Sequence, residues 1–356
     1  MRPFDPLFKN CHLATIAGNF WSRPQSEQQF PVLDTFYEPE AGIQVLVRSQ
    51  FPDEPRGELI LAHGLEGSSE SGYMRSMAAA ALAAGYAVHR YNMRGCGGSP
   101  WFPRANYHSG QTEDLLMIAR ERQKQSGLPI YAAGFSLGGN MVLKLAGELG
   151  DEGRSVFAGV CSVCAPIDLA KSVAVMAQPQ NFIYERRFVN KLKDRVRRRN
   201  PIAPDLFPLE HLPKVKSIYD FDDYYTARIF GFGTADRYYA TQSSNQFLHN
   251  IRIPAMAVHA KDDPLVPHAI YDHPAFRDNK ALKLVMVDHG GHLGFLARRQ
   301  PRFWLDEFVL DWIAETGNLS PVPLVSPEVR PSIATHSVDA SAADGKRVAW
   351  DFRQSQ

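Results

Sequence analysis

The stretch that most constrains this chain is PIYAAGFSLGG, residues 129–139. A short apolar run, Ile130 to Ala133, is bounded by Pro129 and Gly134 and predicts a buried strand. Leu137, Met141, Leu145 and Leu149 then recur four apart and predict a helix. Between them stands Gly134-Phe135-Ser136-Leu137-Gly138, a G-x-S-x-G sequence in a strand-to-helix turn, the setting of a nucleophile elbow. Such a turn lifts the Ser136 side chain above the sheet, and a Cβ at either flank would collide with the neighbouring chain. It also presents the Leu137 N–H at a helix start, where the dipole favours a developing negative charge.

Around that stretch, strands and helices alternate. Gly42 to Phe51 and the compact apolar run Glu58 to Ala62 read as strands, and Tyr73 to Ala84 as an alanine-rich helix ended by Gly85. Tyr86 to Tyr91 is the next strand. Thr112 to Gln125 is a helix capped by Thr112, with Glu113 and Asp114 in its first turn. Val156 to Val163 follows the elbow helix as a further buried strand. This order predicts an α/β class with a mostly parallel central sheet flanked by helices on both faces. A length of 356 residues gives room for one large domain of that kind plus insertions.

The alternation stops at Pro166 and resumes with strands at Ala255 to His259 and Leu282 to Val287, then a helix from Pro301 to about Glu315. Residues 166–250 therefore read as a helical cap inserted over the carboxyl edge of the sheet. The cap carries Phe182, Phe188, Phe207, Phe221, Tyr224, Tyr225, Phe230 and Phe232, more aromatics than a solvated linker needs. A subset is expected to line an apolar acyl pocket above Ser136. Residues 1–40, rich in Pro and aromatics without clear periodicity, read as an arm packed on the domain of residues 41–317. Residues 318–356, rich in Pro, Ser and Ala, read as a disordered tail.

A serine hydroxyl is a poor nucleophile at neutral pH and needs a base within hydrogen-bond reach. The base in turn needs a carboxylate that fixes its tautomer. In a sheet of this kind the order along the chain should be serine, acid, histidine, each on a loop after a strand. Asp262 and Asp263 follow one late strand, and His289 and His292 follow the next. The second oxyanion donor should come from the loop after the early central strand. There His63-Gly64-Leu65-Glu66-Gly67 offers the Leu65 N–H, to act with that of Leu137. Each fragment alone is commonplace; four of them in this order predict a serine hydrolase.

The blocks HGLEGSSESGYMR, NMRGCGGSP, YHSGQTEDL, GFSLGGNM, AKDDPLVP and GGHLGF resemble those of the YheT-like α/β-hydrolases. That family is grouped with the abhydrolase-domain lipases and the yeast medium-chain ethyl-ester synthase/esterases. The resemblance runs from about Asn10 to Asp311. NCHLATI is similar to the family's Asn-Gly-His-Leu-Gln-Thr-Ile, with Cys11 and Ala14 at the departures. The resemblance implies an α/β-hydrolase fold with Ser136 as nucleophile, Asp263 as acid and His292 as base. It implies carboxylic-ester substrates of short to medium acyl length, or glycerolipids, and no metal or organic cofactor. An alcohol acyltransferase would use the same triad, and a non-catalytic binding protein on this fold would be expected to lose one of its members.

Other residues receive structural readings. His63 shapes the oxyanion loop, His108 and Asp114 steady a loop and a helix start, His259 is core, and Arg94 braces the glycine-rich loop. The net charge of +1 gives no electrostatic case for nucleic acid. Cys11, Cys96, Cys161 and Cys164 lack a redox or zinc pattern. No stretch fits a signal peptide or membrane span, which makes the cytoplasm the expected location. Tyr184 to Asn200 holds eight Lys/Arg and two acids. It reads as a cap helix with a solvated basic face, or alternatively as a weak membrane-surface contact.

Overall fold

The computed structural model describes residues 2–317, so the expected tail at 318–356 lies outside the described residues. The chain order is α1 (Cys11–Phe20), β1 (Leu33–Glu40), β2 (Ile43–Gln50), β3 (Glu58–Ala62), α2 (Gly72–Ala83), β4 (Ala87–Tyr91), α3 (Glu113–Ser126), β5 (Ile130–Phe135), α4 (Leu137–Leu149) and β6 (Gly159–Val163). After β6 come α5 (Leu169–Met176), α6 (Phe182–Arg199), α7 (Ile218–Phe221), a π-helical turn (Asp222–Thr226), α8 (Ala227–Ile229) and α9 (Ala235–Gln242). The chain then returns to the sheet with β7 (Ala255–Ala260), α10 (Ala275–Asp278), β8 (Leu282–Val287) and α11 (Trp304–Thr316).

The eight strands form one sheet in the order β1-β2-β4-β3-β5-β6-β7-β8. β3 through β8 run parallel, while β1 and β2 are antiparallel at one edge. The two-residue period of β3 shows how the sequence builds the layers. Leu59 and Leu61 pack with Met74 and Met77 of α2 and Phe308 of α11, whereas Ile60 and Ala62 pack with Leu115 of α3 and Met141 of α4. Each such fully buried Leu or Ile contributes about 1.5–3 kcal/mol relative to exposure. The helices between β6 and β7 hold a core of their own, in which Val189, Leu192 and Val196 meet Phe207, Phe221 and Tyr225.

Local readings need amendment in four places. The stretch 1–40 contains a helix and an edge strand. β1 buries little beyond Tyr37, so its sequence lacks the alternation that would announce a strand. Thr112 stands at the N-cap of α3, but its hydroxyl donates to Glu148 (2.7 Å) and does not cap the helix. β6 starts only at Gly159, Val156 and Phe157 closing the preceding helical turn. The face of α6 is not wholly solvated: Arg195 and Arg199 are buried beneath it.

Candidate active site

Five loops at the carboxyl ends of β3, β5, β6, β7 and β8 meet at one edge of the sheet, where ligands of open α/β sheets bind. The turn after β5 is tight. A Cβ on Gly134 would stand 2.1 Å from the Gly138 carbonyl oxygen, and one on Gly138 would stand 2.3 Å from that of Ala62. Between them Ser136 takes φ 53° and ψ −118°, and its N–H donates to Val163 O (2.8 Å). The strained backbone holds Oγ above the sheet.

Ser136 Oγ lies 3.0 Å from His292 Nε2, and His292 Nδ1 lies 2.8 Å from Asp263 Oδ2. The other Asp263 oxygen accepts from the N–H groups of Leu265 (2.9 Å) and Val266 (3.1 Å), in the turn that Pro264 to Pro267 forms. Burial pushes the Asp263 carboxyl up. The charge and hydrogen bond of His292, with smaller help from His259 and the Leu265 N–H, outweigh it and hold the group below the ordinary carboxylate value. An ionised Asp263 places the ring proton of His292 on Nδ1, which leaves Nε2 as an acceptor for the serine hydroxyl.

Asp262 and His289 lie on the same two loops and pair with each other, Nδ1 to Oδ2 at 3.1 Å, away from Ser136. The second Asp262 oxygen accepts from the Gly291 N–H (2.9 Å).

The loop after β3 is pinned residue by residue. Gly64 N–H donates to Tyr73 OH (3.0 Å) and Gly67 N–H to Gly64 O (3.0 Å). Glu66 N–H donates to Tyr107 OH (3.0 Å). Among the described residues the N–H groups of Leu65 and Leu137 have no hydrogen-bond partner, and both residues line the cavity that holds Ser136 and His292. His63 ties this loop to the next, accepting from Met93 N–H on Nε2 (3.1 Å) and donating from Nδ1 to Gly64 O (2.8 Å). Burial pushes its pKa down to about 4, so it stays neutral.

Three parts of the site escaped sequence reasoning. Thr15 on α1 accepts the His292 backbone N–H on Oγ1 (2.9 Å) while donating to Cys11 O (2.7 Å). The helix lies so close that a Cβ on Gly291 (φ 56°) would meet Cys11 O at 2.5 Å and Thr15 Oγ1 at 2.6 Å. The NCHLATI block was the signal; its role needed the contact. Second, Arg195 of α6 pairs with Glu66 (2.7 Å), both nearly buried, and so fastens the helical insertion to the loop after β3. Third, His108 stands against the rings of Phe230, Phe232 and Tyr238 and lines the cavity wall, where burial pushes its pKa down to about 3. Arg94 is clamped on Asp114 (2.7 Å), and His259 is buried on Tyr271 with Nδ1 4.0 Å from Asp263.

Two cavities meet at Ser136. One, of about 110 Å³, lies beneath the insertion between Leu65, Leu137 and Leu265 on one side and Val173, Phe188 and Leu192 on the other. The second, of about 170 Å³, opens between α1 and α6, past Ile16, Phe20, Arg187 and Lys191. Phe188 and Leu265 stand in the walls of both. Of the cap aromatics, Phe188 and Phe221 line the first cavity, whereas Phe207 and Tyr225 are buried in the core of the insertion and Phe182 is exposed. Cys164, Asp263 and His292 bring three metal-ligand atom types within 4.8 Å of one another. Burial keeps the Cys164 thiol protonated, and His292 Nδ1 faces Asp263 with a proton, so these groups hold protons where a cation would need lone pairs.

A model of the alpha/beta hydrolase fold matches residues 58–298. The putative esterase YheT of Escherichia coli K12 is 33% identical over 87% of this chain and 92% of its own length. Phospholipase ABHD3 of Mus musculus is 30% identical over 69% of this chain and 60% of its own length. Among solved structures, the Pyrococcus furiosus esterase Pf2001 matches with a TM-score of 0.52 at 15% identity, covering 83% of this chain and 97% of that one, a likeness of fold.

Proposed function

The chain belongs to the α/β-hydrolase fold family, in its YheT-like branch, and from that premise we propose that it hydrolyses carboxylic esters through an acyl-enzyme on Ser136. The observation that carries the reading is the unbroken run of hydrogen bonds from Ser136 through His292 to Asp263. Ser136 Oγ attacks the ester carbonyl carbon as its proton passes to His292 Nε2. The oxyanion is held by the N–H groups of Leu65 and Leu137, which have no other hydrogen-bond partner among the described residues. Collapse expels the alcohol, which takes the proton from His292. Water then attacks the acyl-enzyme, again giving its proton to Nε2, and the acid leaves as Ser136 is restored.

The first cavity suits an acyl group of short to medium length, since its walls near Ser136 are leucine, valine and phenylalanine side chains. Small esters and glycerolipids are the proposed substrates. The second cavity supports an alternative use of the same triad, in which an alcohol bound there replaces water as the acceptor. Adding an alcohol during turnover and analysing for the new ester separates the two. We place the enzyme in the cytoplasm, where its buried thiols Cys96, Cys161 and Cys164 would stay reduced. The exposed basic side chains of α6 are proposed to make a weak membrane-surface contact; among the described residues no helix is long and apolar enough to cross a membrane.

A fluorophosphonate should label the protein once, and Ser136→Ala should abolish labelling and lower kcat by about 10⁶-fold. Labelling that survives in Ser136→Ala would overturn the assignment.

A further inference from the structure

Beside the mouth of the second cavity lies an apolar surface that ester hydrolysis does not use. Leu13, Ile16 and Phe20 follow at i, i+3 and i+7 on α1 and are 55%, 47% and 72% exposed. On α6, Phe182 and Ile183 are 58% and 75% exposed. The two groups adjoin. The His12 ring stacks on Tyr184, with Nδ1 3.1 Å from its hydroxyl, and the Arg187 guanidinium lies 6.0 Å from the Phe20 ring centre. The opposite face of α1 is fixed against the His292 loop through Thr15, so the outward set of side chains is held outward. Contiguous exposed apolar surface of this kind marks a site of interaction.

The surrounding charges select the partner. Arg186, Arg187, Lys191, Arg197 and Arg198 are exposed on α6, against one exposed acid, Asp194, which pairs with Arg197. Ile183, Arg187 and Lys191 fall at i, i+4 and i+8 along one stripe, so the cations continue directly from the apolar patch. Large apolar side chains rimmed by lysine and arginine are the composition of helices that lie in a lipid interface. A second copy, meeting this face with the same face, would set the cations against each other.

We infer that the outward faces of α1 and the first turns of α6 dock on an anionic lipid surface, with the second cavity opening into it. This deepens the membrane-contact reading of α6 and gives ester substrates a route from the lipid past Ile16, Phe20 and Arg187 to Ser136. Docking itself needs no catalysis.

The test is flotation of the full chain with vesicles of phosphatidylcholine, alone or mixed with phosphatidylglycerol, at low and high salt. Wild type should float with the anionic vesicles, far less with the neutral ones, and be released by salt. The double variant Leu13→Ser/Ile183→Ser should partition roughly tenfold less, and Arg186→Glu should lose roughly as much on anionic vesicles alone. None of these residues lines either cavity, so all variants should hydrolyse a water-soluble short-chain ester at the wild-type rate, which also checks their folding. Ser136→Ala should float like wild type, which separates docking from the catalytic assignment. Wild type indifferent to anionic lipid, or variants that float as well as wild type, would overturn the inference. So would a dimer that the double variant dissolves, which would give the face to a second copy.

Discussion

The loops after β7 and β8 carry two aspartate–histidine pairs, Asp263 with His292 and Asp262 with His289. Their Nδ1 to Oδ2 distances are similar, 2.8 and 3.1 Å. Hydrogen-bond length therefore does not tell the pair beside Ser136 from the one nearer the surface. Burial does: the side chains of Asp263 and His292 are 0% and 11% exposed, those of Asp262 and His289 19% and 38%. So does the remaining polar atom of each group. Nε2 of His292 faces Ser136, and the free oxygen of Asp263 is saturated by two backbone N–H groups. The free oxygen of Asp262 instead grips Gly291, one residue before His292. One pair is aimed at Ser136; the other trims the loop that does the aiming.

Breaking the inner pair should have the largest effect. Asp263→Asn should lower kcat about 10⁴-fold by presenting His292 in the wrong tautomer, while probe labelling of the folded protein slows but stays at Ser136. A loss no greater than that from Asp262→Asn would erase the distinction between the pairs. Next comes the support of the inner pair from α1. Thr15→Val keeps the shape but leaves the His292 N–H without its acceptor. A buried donor left unmade costs about 1–3 kcal/mol, so kcat should fall roughly tenfold or more with KM little changed. Thr15→Ser should restore the rate; a valine variant with full kcat would remove Thr15 from the site's support. For the outer pair, His289→Ala should keep activity within about threefold, as expected of an exposed pair worth about 0–1 kcal/mol.

Much of this site was legible because crowding leaves a mark in sequence. Gly134 and Gly138 stand where only a missing Cβ fits, and the order of serine, acid and base follows from strand order. The choice between Asp262 and Asp263 was not legible from that order alone, since both follow the same strand and both find a histidine. Arg195 was read with its neighbours as solvated charge. Its burial depends on Glu66, 129 positions away. β1 was missed because an exposed edge strand carries no apolar alternation. In each case the deciding partner is remote in sequence or the signal is solvent-facing.

The smallest effect sharpens the role of burial itself. His259, behind Asp263, is pushed by desolvation from 6.5 down to about 4 and stays neutral where the unfolded chain would bind a proton. Its contribution to stability is present above pH 6.5 and is lost as pH falls towards 4. Asp222 and Asp306, pushed up by burial from 3.8 to about 6, act in the opposite sense. His63 and His108, also held neutral by burial, act with His259, so the overall slope sums several groups and the comparison of variants isolates one of them. His259→Phe should lose less melting temperature than wild type between pH 7 and pH 4.5; an equal loss would mean that His259 takes up no proton on unfolding.

The hydrogen bond between Thr15 and the His292 backbone joins positions 277 residues apart. During synthesis at roughly 5–20 residues per second, α1 leaves the ribosome about fifteen seconds to a minute before the loop it will hold. Through most of that interval Ser136 already exists without the ring that will stand 3.0 Å from its hydroxyl. The newborn chain thus holds its serine before its imidazole, and the support that the first helix gives to the His292 loop can form only after the last of the site's loops has emerged.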